Sequence, residues 1–209
     1  MKVAVVTDST ADLSPATAAA AGIRVVPLTV TFGSDSFKAG VDLSTEAFWQ
    51  RMTAPDAPFP TTAAASPGQY QEAFEAAFAD GADAIVCVDI AETLSGTIKS
   101  ARIAAEGLGG REIHVIDSGT ASMGVGLLAL LAVELVGQGL SAADVAARLE
   151  ARRADLDLYV VLDTLAYLRK GGRLSGPEAA IGTLLSVKPI ITFRDGKVEI
   201  GRASCRERV

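Results

Sequence analysis

The sequence predicts an α/β protein in two parts: a domain built on a parallel, doubly wound sheet, followed by a partial second α/β domain. Along residues 1–155, short apolar runs alternate with alanine-rich helical segments, an order typical of a parallel sheet with helices on both faces. The apolar runs are nearly continuous rather than alternating, as expected of strands covered on both sides. After about residue 155 the pattern changes, and we expect the domain boundary there.

Four apolar runs are predicted to form the covered strands of the first domain. They occupy Val3–Asp8, residues 24–30, residues 83–90 and Glu112–Asp117. Because helical segments separate them, we expect the strands to be parallel.

The clearest helix begins after Ser66, the predicted N-cap. Pro67 takes the first helical position, Gln69 completes a capping box and Gly81 ends the helix. Aromatic residues then recur at a spacing of four, which places them on one helical face. These residues are Tyr70, Phe74 and Phe78.

Two further helical segments complete the first domain. Ser141, with Asp144 three residues on, predicts a helix start. The apolar stretch before it, residues 124–137, contains Glu134 and is shorter than the roughly 20 residues of a membrane span. The first residues lack the pattern of a signal peptide, so we expect a soluble, cytoplasmic protein without stable membrane insertion.

Residues 156–198 are predicted to begin the second α/β domain. Asp195–Gly196 stands between two strand-like runs and predicts an antiparallel hairpin. The first domain is thus residues 1–155 and the second begins at residue 156.

Composition argues against several classes of function. The chain has 209 residues, 49% of them hydrophobic, and a net charge of −6, so it lacks the basic surface that nucleic acid binding requires. Cys87 and Cys205 do not form a disulfide framework, and Cys87 is expected in the core. His114 is the single histidine and lies in a strand-like run, which argues against a Ser-His-Asp triad. The sequence has no metal-binding or phosphate-loop signature, and we predict no cofactor.

Hydroxyl-bearing residues cluster where predicted strands end or helices begin. They occur in four segments, residues 7–14, 60–68, 91–97 and 116–126. Ligands of open α/β sheets bind at this edge, and hydroxyls with helix N-terminal amides suit a phosphate or a carboxylate. The candidate binding residues are Asp8, Ser9, Thr62, Ser95 and Ser118.

Two other interpretations remain open at this point. The hydroxyl residues can serve only as helix caps, as at Ser95, or lie in ordinary loops, as at Thr62. Alternatively, an enzyme acts on a phosphorylated small molecule at the same edge with Asp8 or Asp117 as base. That alternative requires a titratable group in a perturbing environment.

Seven motifs in order resemble those of the DegV family of bacterial fatty-acid-binding proteins. They extend from residue 3 to about residue 192 and are VTDSTADLS, VVPLTV, PTTAAASPGQY, ETLSGTIKSA, VIDSGTASMGVG, LDTLAYLRKGGRLSG and LLSVKPII. The resemblance implies a two-domain α/β protein that holds one long-chain fatty acid between its domains. It also implies that the protein presents the carboxylate to a separate fatty acid kinase and is not itself an enzyme.

The resemblance implies roles for individual residues. Thr62 matches the family's carboxylate-binding threonine, and Arg173 matches a basic residue near the carboxylate. The family's LSGT anion loop contributes Ser95, Gly96 and Thr97. Residues 127–133 are expected to line the acyl tail or, alternatively, to be ordinary core.

Two departures from the family pattern concern the head group. Ala63–Ala65 replace polar side chains and a proline, and Ala91 and Glu92 stand where the family commonly has serines. Glu92 would repel a bound carboxylate unless its side chain points away.

Residues 199–209 do not continue the family pattern. Their letters, EIGRASCRERV, resemble the translation of a common sequencing-adapter sequence, and we expect this segment to be non-native. Because family members continue through the rest of the second domain, we expect that domain to be shortened here and lipid binding to be weakened or absent.

Overall fold

The structure is a computed structural model that describes residues 1–174, 188–194 and 196–201. The strands are β1 (Val3–Asp8), β2 (Arg24–Val26), β3 (Thr29–Phe32), β4 (Asp35–Lys38), β5 (Thr61–Ala63), β6 (Ala84–Asp89), β7 (Glu112–Asp117), β8 (Val160–Val161), β9 (Ile190–Arg194) and β10 (Lys197–Gly201). The helices are α1 (Pro15–Ala21), α2 (Thr45–Met52), α3 (Pro67–Ala79), α4 (Thr97–Gly107), α5 (Met123–Gly137), α6 (Ala142–Arg152) and α7 (Ala166–Lys170).

The largest sheet of the described residues is a four-stranded parallel sheet in the order β2-β1-β6-β7. Every residue of β6 is buried, because β6 has a strand on each side and helices above and below. This confirms the parallel α/β prediction. The prediction of complete burial is wrong for β7, where Ile116 alone is buried, since β7 forms the sheet edge and has one neighbouring strand.

Helices cover both faces of this sheet. On one face α3 and α4 pack against Ile85 and Cys87 of β6, and on the other α5 and α6 pack against Val86 and Val88. Alternate residues of β6 thus enter two separate cores, as the strand period of two requires. The α3 core buries Tyr70 completely, and Ser66 and Gln69 form the predicted capping box.

Residues 24–30 do not form the single strand that the sequence predicts. The chain leaves the parallel sheet after β2 and enters a second, antiparallel sheet of order β4-β3-β5. Pro27 separates the two strands and has no N–H group to donate to a ladder. The next amide, that of Leu28, donates to the Ser9 hydroxyl at 3.0 Å, so the apolar run is divided between two sheets.

After α6 and a 3-10 helix at Arg153–Asp155, the chain forms a third sheet of order β10-β9-β8. β9 and β10 pair antiparallel, with Arg194 opposite Lys197, which confirms the predicted hairpin. The sequence motifs within residues 175–187, and residues 202–209 of the final segment, lie outside the described residues.

Candidate functional site

The carboxyl ends of β1, β6 and β7 lie along one edge of the parallel sheet, and the turns that follow them are joined by hydrogen bonds. The Ile90 amide donates to Asp8 Oδ2 at 2.9 Å. The Ala91 amide donates to the Thr120 carbonyl at 2.9 Å, and the Ser118 amide donates to the Asp89 carbonyl at 3.1 Å. Three of the four hydroxyl-rich segments are therefore brought together at this edge.

The turn after β6 leads into α4 and presents the open N-terminus of that helix. Gly96 occupies the N-cap position, and α4 has no side-chain cap hydrogen bond. Ser95 precedes the cap, and its hydroxyl accepts the Thr97 amide at 3.3 Å and contacts the Thr97 hydroxyl at 2.8 Å. Ser95 thus accepts an amide of the first turn of α4, as the interpretation of this residue as a helix cap predicts, although Gly96 occupies the N-cap position. The positive end of the helix dipole makes this terminus suited to an anion.

Glu92 lies in the same turn, and its charge is compensated by two cations of α4. Its carboxylate accepts a hydrogen bond from Arg102 Nη1 at 2.7 Å and lies 3.7 Å from Lys99 Nζ. The hydrogen bond from Arg102 lowers the pKa of Glu92. The repulsion expected between Glu92 and a carboxylate ligand is offset by these two neighbours.

Arg173 reaches this turn from the part of the chain that follows α7. Its Nε donates to the Leu94 carbonyl at 3.2 Å, and its Nη1 donates to the Gly171 carbonyl at 2.5 Å. The β9–β10 hairpin approaches the same turn, where the Thr93 hydroxyl donates to the Gly196 carbonyl. The structure thus brings the guanidinium of Arg173 beside Ser95.

Thr62 lies on β5, in the antiparallel sheet, opposite Val30 of β3. Its side chain is exposed. Phe59, just before β5, stacks on Tyr167 of α7 with ring centroids 5.9 Å apart, and Lys170 lies 5.3 Å from the Phe59 ring centroid. α7 and the residues after it therefore contact both the Thr62 segment and the Ser95 turn.

Three other candidates point their polar atoms at the protein itself. Asp8 is fully buried and caps the 3-10 helix Ser9–Ala11 by accepting the Thr10 amide at 2.6 Å. Ser9 accepts the Leu28 amide, and Ser118 is 1% exposed and donates to the Thr120 carbonyl at 3.2 Å. These three side chains stabilise the turns through hydrogen bonds with backbone groups.

Sequence reasoning missed Asp89 and Tyr70. Asp89 ends β6 as Asp8 ends β1, and it accepts the Tyr70 hydroxyl at 2.8 Å. Burial and the nearby Asp8 raise the pKa of Asp89 well above its ordinary value. An aspartate at the same position of two neighbouring strands was the available signal.

The residues of α5 that were expected to line an acyl tail differ in their burial. Leu128, Ala129 and Ala132 are buried in the core, whereas Leu127 is 52% exposed. The three buried residues belong to the protein core, which was the alternative interpretation of this segment.

A cavity of about 560 Å³ lies at the opposite edge of the parallel sheet. Its lining includes Lys2, Ile23, Arg24, Val133 and Val136, near the amino ends of β1 and β2. It is therefore separate from the hydroxyl-bearing turns.

Two features are absent from the described part of the chain. No cluster of His, Cys, Asp and Glu there could hold a metal ion. No helix within those residues is both long and apolar enough to span a membrane.

Comparison with known proteins identifies similar chains in bacteria. The family model of the DegV family, described as uncharacterised proteins, matches residues 2–204. A DegV domain-containing protein from Deinococcus radiodurans is 40% identical over 201 residues, which is 96% of this chain and 70% of that protein.

Two solved structures are similar over nearly the whole chain. A DegV family protein from Thermus thermophilus, described as binding fatty acid, gives a TM-score of 0.86 at 38% identity, covering 97% of this chain and 72% of its own. DegV from Bacillus subtilis, described as a fatty acid binding protein, gives a TM-score of 0.86 at 30% identity, covering 99% and 73%.

Proposed function

The chain belongs to the DegV family, and we propose that it binds a long-chain fatty acid whose carboxylate lies at the carboxyl edge of the parallel sheet. One observation carries the proposal for this chain. The Arg173 guanidinium donates a hydrogen bond to the Leu94 carbonyl, next to the N-terminus of α4. A cation, the positive end of the α4 dipole and the Ser95 hydroxyl thus converge where a carboxylate would be held.

The energetics of such a ligand divide between its two ends. Burying each CH₂ group is worth roughly 0.8 kcal/mol, so a long acyl tail contributes on the order of 10 kcal/mol before ordering costs. The head group contributes less affinity, because its hydrogen bonds replace those made with water. We therefore assign most of the affinity to the tail. The position of the head group is assigned to Ser95, Gly96, Thr97, Arg173 and Thr62.

We further propose that the protein presents the bound carboxylate to a separate fatty acid kinase in the cytoplasm. In this arrangement the fatty acid lies between a first domain, residues 1–155, and a second domain that begins at residue 156. Asp8 and Ser118 stabilise the turns that carry the site, since their side-chain oxygens form hydrogen bonds with backbone groups.

The alternative, an enzyme that uses Asp8 as base, has less support. Asp8 is fully buried and accepts two backbone N–H groups, so it is poorly placed to take a proton from a substrate. Asp117, the other candidate base, accepts the Gly119 amide at 2.9 Å.

The head-group assignment is tested with Ser95→Ala and Thr62→Ala. Removing a hydroxyl that bonds a charged carboxylate costs about 1.5–3 kcal/mol, so we expect the Kd for a long-chain fatty acid to rise at least about tenfold in each variant. Ser100→Ala on α4 and Thr61→Ala on β5 are matched controls, since Thr61 faces the opposite side of its strand.

The measurements are mass spectrometry of lipid extracted from natively purified protein and displacement of a fluorescent fatty acid. Absence of any fatty acid affinity both in this chain and in a chain extended to the length of its relatives would contradict the proposed ligand. Normal affinity, together with normal kinase-dependent phosphorylation of the fatty acid, in both Ser95→Ala and Thr62→Ala would contradict the assigned residues.

A further inference from the structure

Two aspartates meet in the interior directly behind the turn that carries Ser95. Asp8 ends β1 and Asp89 ends β6, the neighbouring strand, and both are 0% exposed. Thr7 pairs with Val88 in the two strands, and the amide of Ile90, the residue after Asp89, donates to Asp8 Oδ2 at 2.9 Å, so the two aspartates lie side by side. Two ionised carboxylates side by side and away from water repel each other strongly, so such a pair retains one proton at neutral pH.

The hydrogen bonds around the pair indicate which carboxyl carries the proton. Asp8 accepts the backbone amides of Thr10 at 2.6 Å and Ile90 at 2.9 Å, and two such donors favour the ionised form. Asp89 accepts two neutral side-chain donors, the Tyr70 hydroxyl at 2.8 Å on Oδ1 and the Cys87 thiol at 3.5 Å on Oδ2, and a thiol is a weak donor. These hydrogen bonds are all compatible with a protonated Asp89 carboxyl group that donates to the Asp8 carboxylate.

The surroundings of the pair supply no compensating charge. Tyr70 of α3 and Cys87 of β6 are the other ionisable groups that act on Asp89, and Cys87 Sγ lies 3.5 Å from Asp89 Oδ2. Burial raises the pKa of both the Tyr70 hydroxyl and the Cys87 thiol, so both are neutral. Within the described ranges, no cation is among the groups that perturb Asp8 or Asp89.

We propose that Asp8 and Asp89 share one proton and act as a positioning pair for the head-group site. The Asp8 carboxylate fixes the Ile90 amide, which is the start of the turn that leads through Ser95 into α4. Asp89 keeps that carboxylate in place by donating its proton to it. The positioning role rests on the proposed function, whereas the sharing of the proton does not.

The shared proton makes stability depend on pH in a defined direction. Asp89 has an ordinary pKa of about 3.9 in the unfolded chain, and burial raises its pKa in the folded protein. The stability that this proton contributes is fully present below the pKa of Asp89 in the unfolded chain. It is lost as pH rises toward the pKa of Asp89 in the folded protein. Over that range the folding equilibrium constant falls about tenfold per pH unit.

Asp89→Asn and Asp8→Asn test the assignment of the proton. In Asp89→Asn the side-chain amide can donate to Asp8 and accept from Tyr70, as the protonated carboxyl does. Its folding equilibrium constant relative to wild type should therefore rise about tenfold per pH unit above about pH 5. In Asp8→Asn the amide cannot accept both the Thr10 and Ile90 N–H groups at two oxygens, so this variant should be less stable at every pH.

Urea unfolding between about pH 5 and about pH 8 measures this difference. Infrared spectroscopy at neutral pH should show the carbonyl band of a protonated carboxylic acid in the wild type and in Tyr70→Phe, and lose it in Asp89→Asn. A constant stability difference between wild type and Asp89→Asn, or no such band in the wild type, overturns the shared proton.

Fatty acid affinity separates the positioning role from the proposed function. We expect Asp8→Asn to raise the Kd for a long-chain fatty acid and the control variant Ser100→Ala on α4 to keep the wild-type value. If neither this chain nor a chain extended to the length of its relatives binds fatty acid, the proposed function is wrong. The proton assignment is still decided by unfolding and infrared data. Equal affinity in Asp8→Asn and wild type overturns the positioning role.

If Asp8→Asn does not fold, hydrogen exchange at the Ile90 amide decides the positioning role. Relative to the intrinsic rate, its protection should decrease with rising pH in the wild type and stay constant in Asp89→Asn. The same pH dependence in both proteins overturns the role.

Discussion

Gly126 lies on α5 where this helix passes closest to the turn after β1. A Cβ atom at Gly126 would stand 2.5 Å from the carbonyl oxygen of Ala11 and 3.1 Å from Leu13 Cδ2. A backbone carbonyl in a packed interior cannot move aside as the end of a flexible side chain can. We expect Gly126→Ala to lower the free energy of unfolding by about 1–3 kcal/mol, measured by urea denaturation.

Gly137→Ala is the matched control on the same helix. A Cβ atom there meets no heavy atom within 4 Å, and alanine is favoured over glycine in a helix by up to about 1 kcal/mol. This variant should be neutral or more stable. Equal destabilisation by the two substitutions would show that close approach at Gly126 is not the cause.

At the residue scale, the sequence predicts where site residues lie along the chain better than what they contact. The motifs place Ser95 at a strand end, and the turn after β6 is found at the same sheet edge as the turns after β1 and β7. The bond from Arg173 to the Leu94 carbonyl depends on tertiary docking, which no local pattern encodes. A single strand-ending aspartate does not show whether its side chain is buried or caps a turn, and only the recurrence of aspartate at the ends of β1 and β6 indicates Asp89.

Among the helices, α3 shows how a local signal and tertiary packing act together. Ser66 accepts the Gln69 amide at 3.3 Å, and the Gln69 side chain accepts the Ser66 amide at 2.9 Å. The helix then buries Tyr70 and Phe74 completely. Loss of an N-cap serine costs about 0.5–2 kcal/mol, and because α3 is part of the core we expect Ser66→Ala to lower global stability by this amount.

Ser44→Ala provides the comparison for that prediction. Ser44 caps α2 and accepts the Ala47 amide at 3.2 Å, but α2 has no buried residue. Its first turn can fray without opening the core, so the change in global stability should be smaller. Thermal unfolding of both variants measures the two losses of stability. A larger loss in Ser44→Ala than in Ser66→Ala would contradict this expectation.

At the element scale, prediction succeeded where one physical cause dominates. A continuous apolar run predicts a central strand correctly for β1 and β6, because the two cores require apolar residues on both faces. The same pattern fails over residues 24–30, where β3 is apolar for a different reason. Val30 and Phe32 of β3 pack against a third cluster together with Leu43, and only Pro27 indicates the break.

Across the whole molecule, the three sheets differ in how much they bury. All of β6 is buried in the parallel sheet, whereas in the sheet formed by β8, β9 and β10, Ile191 is the buried residue among those whose side chains are described. Burial of apolar surface is the main source of stability. The sheet of β8–β10 should therefore open at a lower free energy than the parallel sheet.

The stacking of Phe59, just before β5, on Tyr167 of α7 is one of the contacts between the residues around β8–β10 and the preceding part of the chain. The rings lie 5.9 Å apart and are inclined by 10°, and such a pair is worth about 0.5–1.5 kcal/mol beyond its buried area. We expect Tyr167→Ala to accelerate amide hydrogen exchange in α7 and in β8–β10 by up to about tenfold and to leave β6 unchanged. Tyr159→Ala is the control, since Tyr159 is 63% exposed and no ring stacks on it within the described residues. If β6 and β8–β10 respond together, the molecule opens as a single cooperative unit, and the outer sheet has no separate stability.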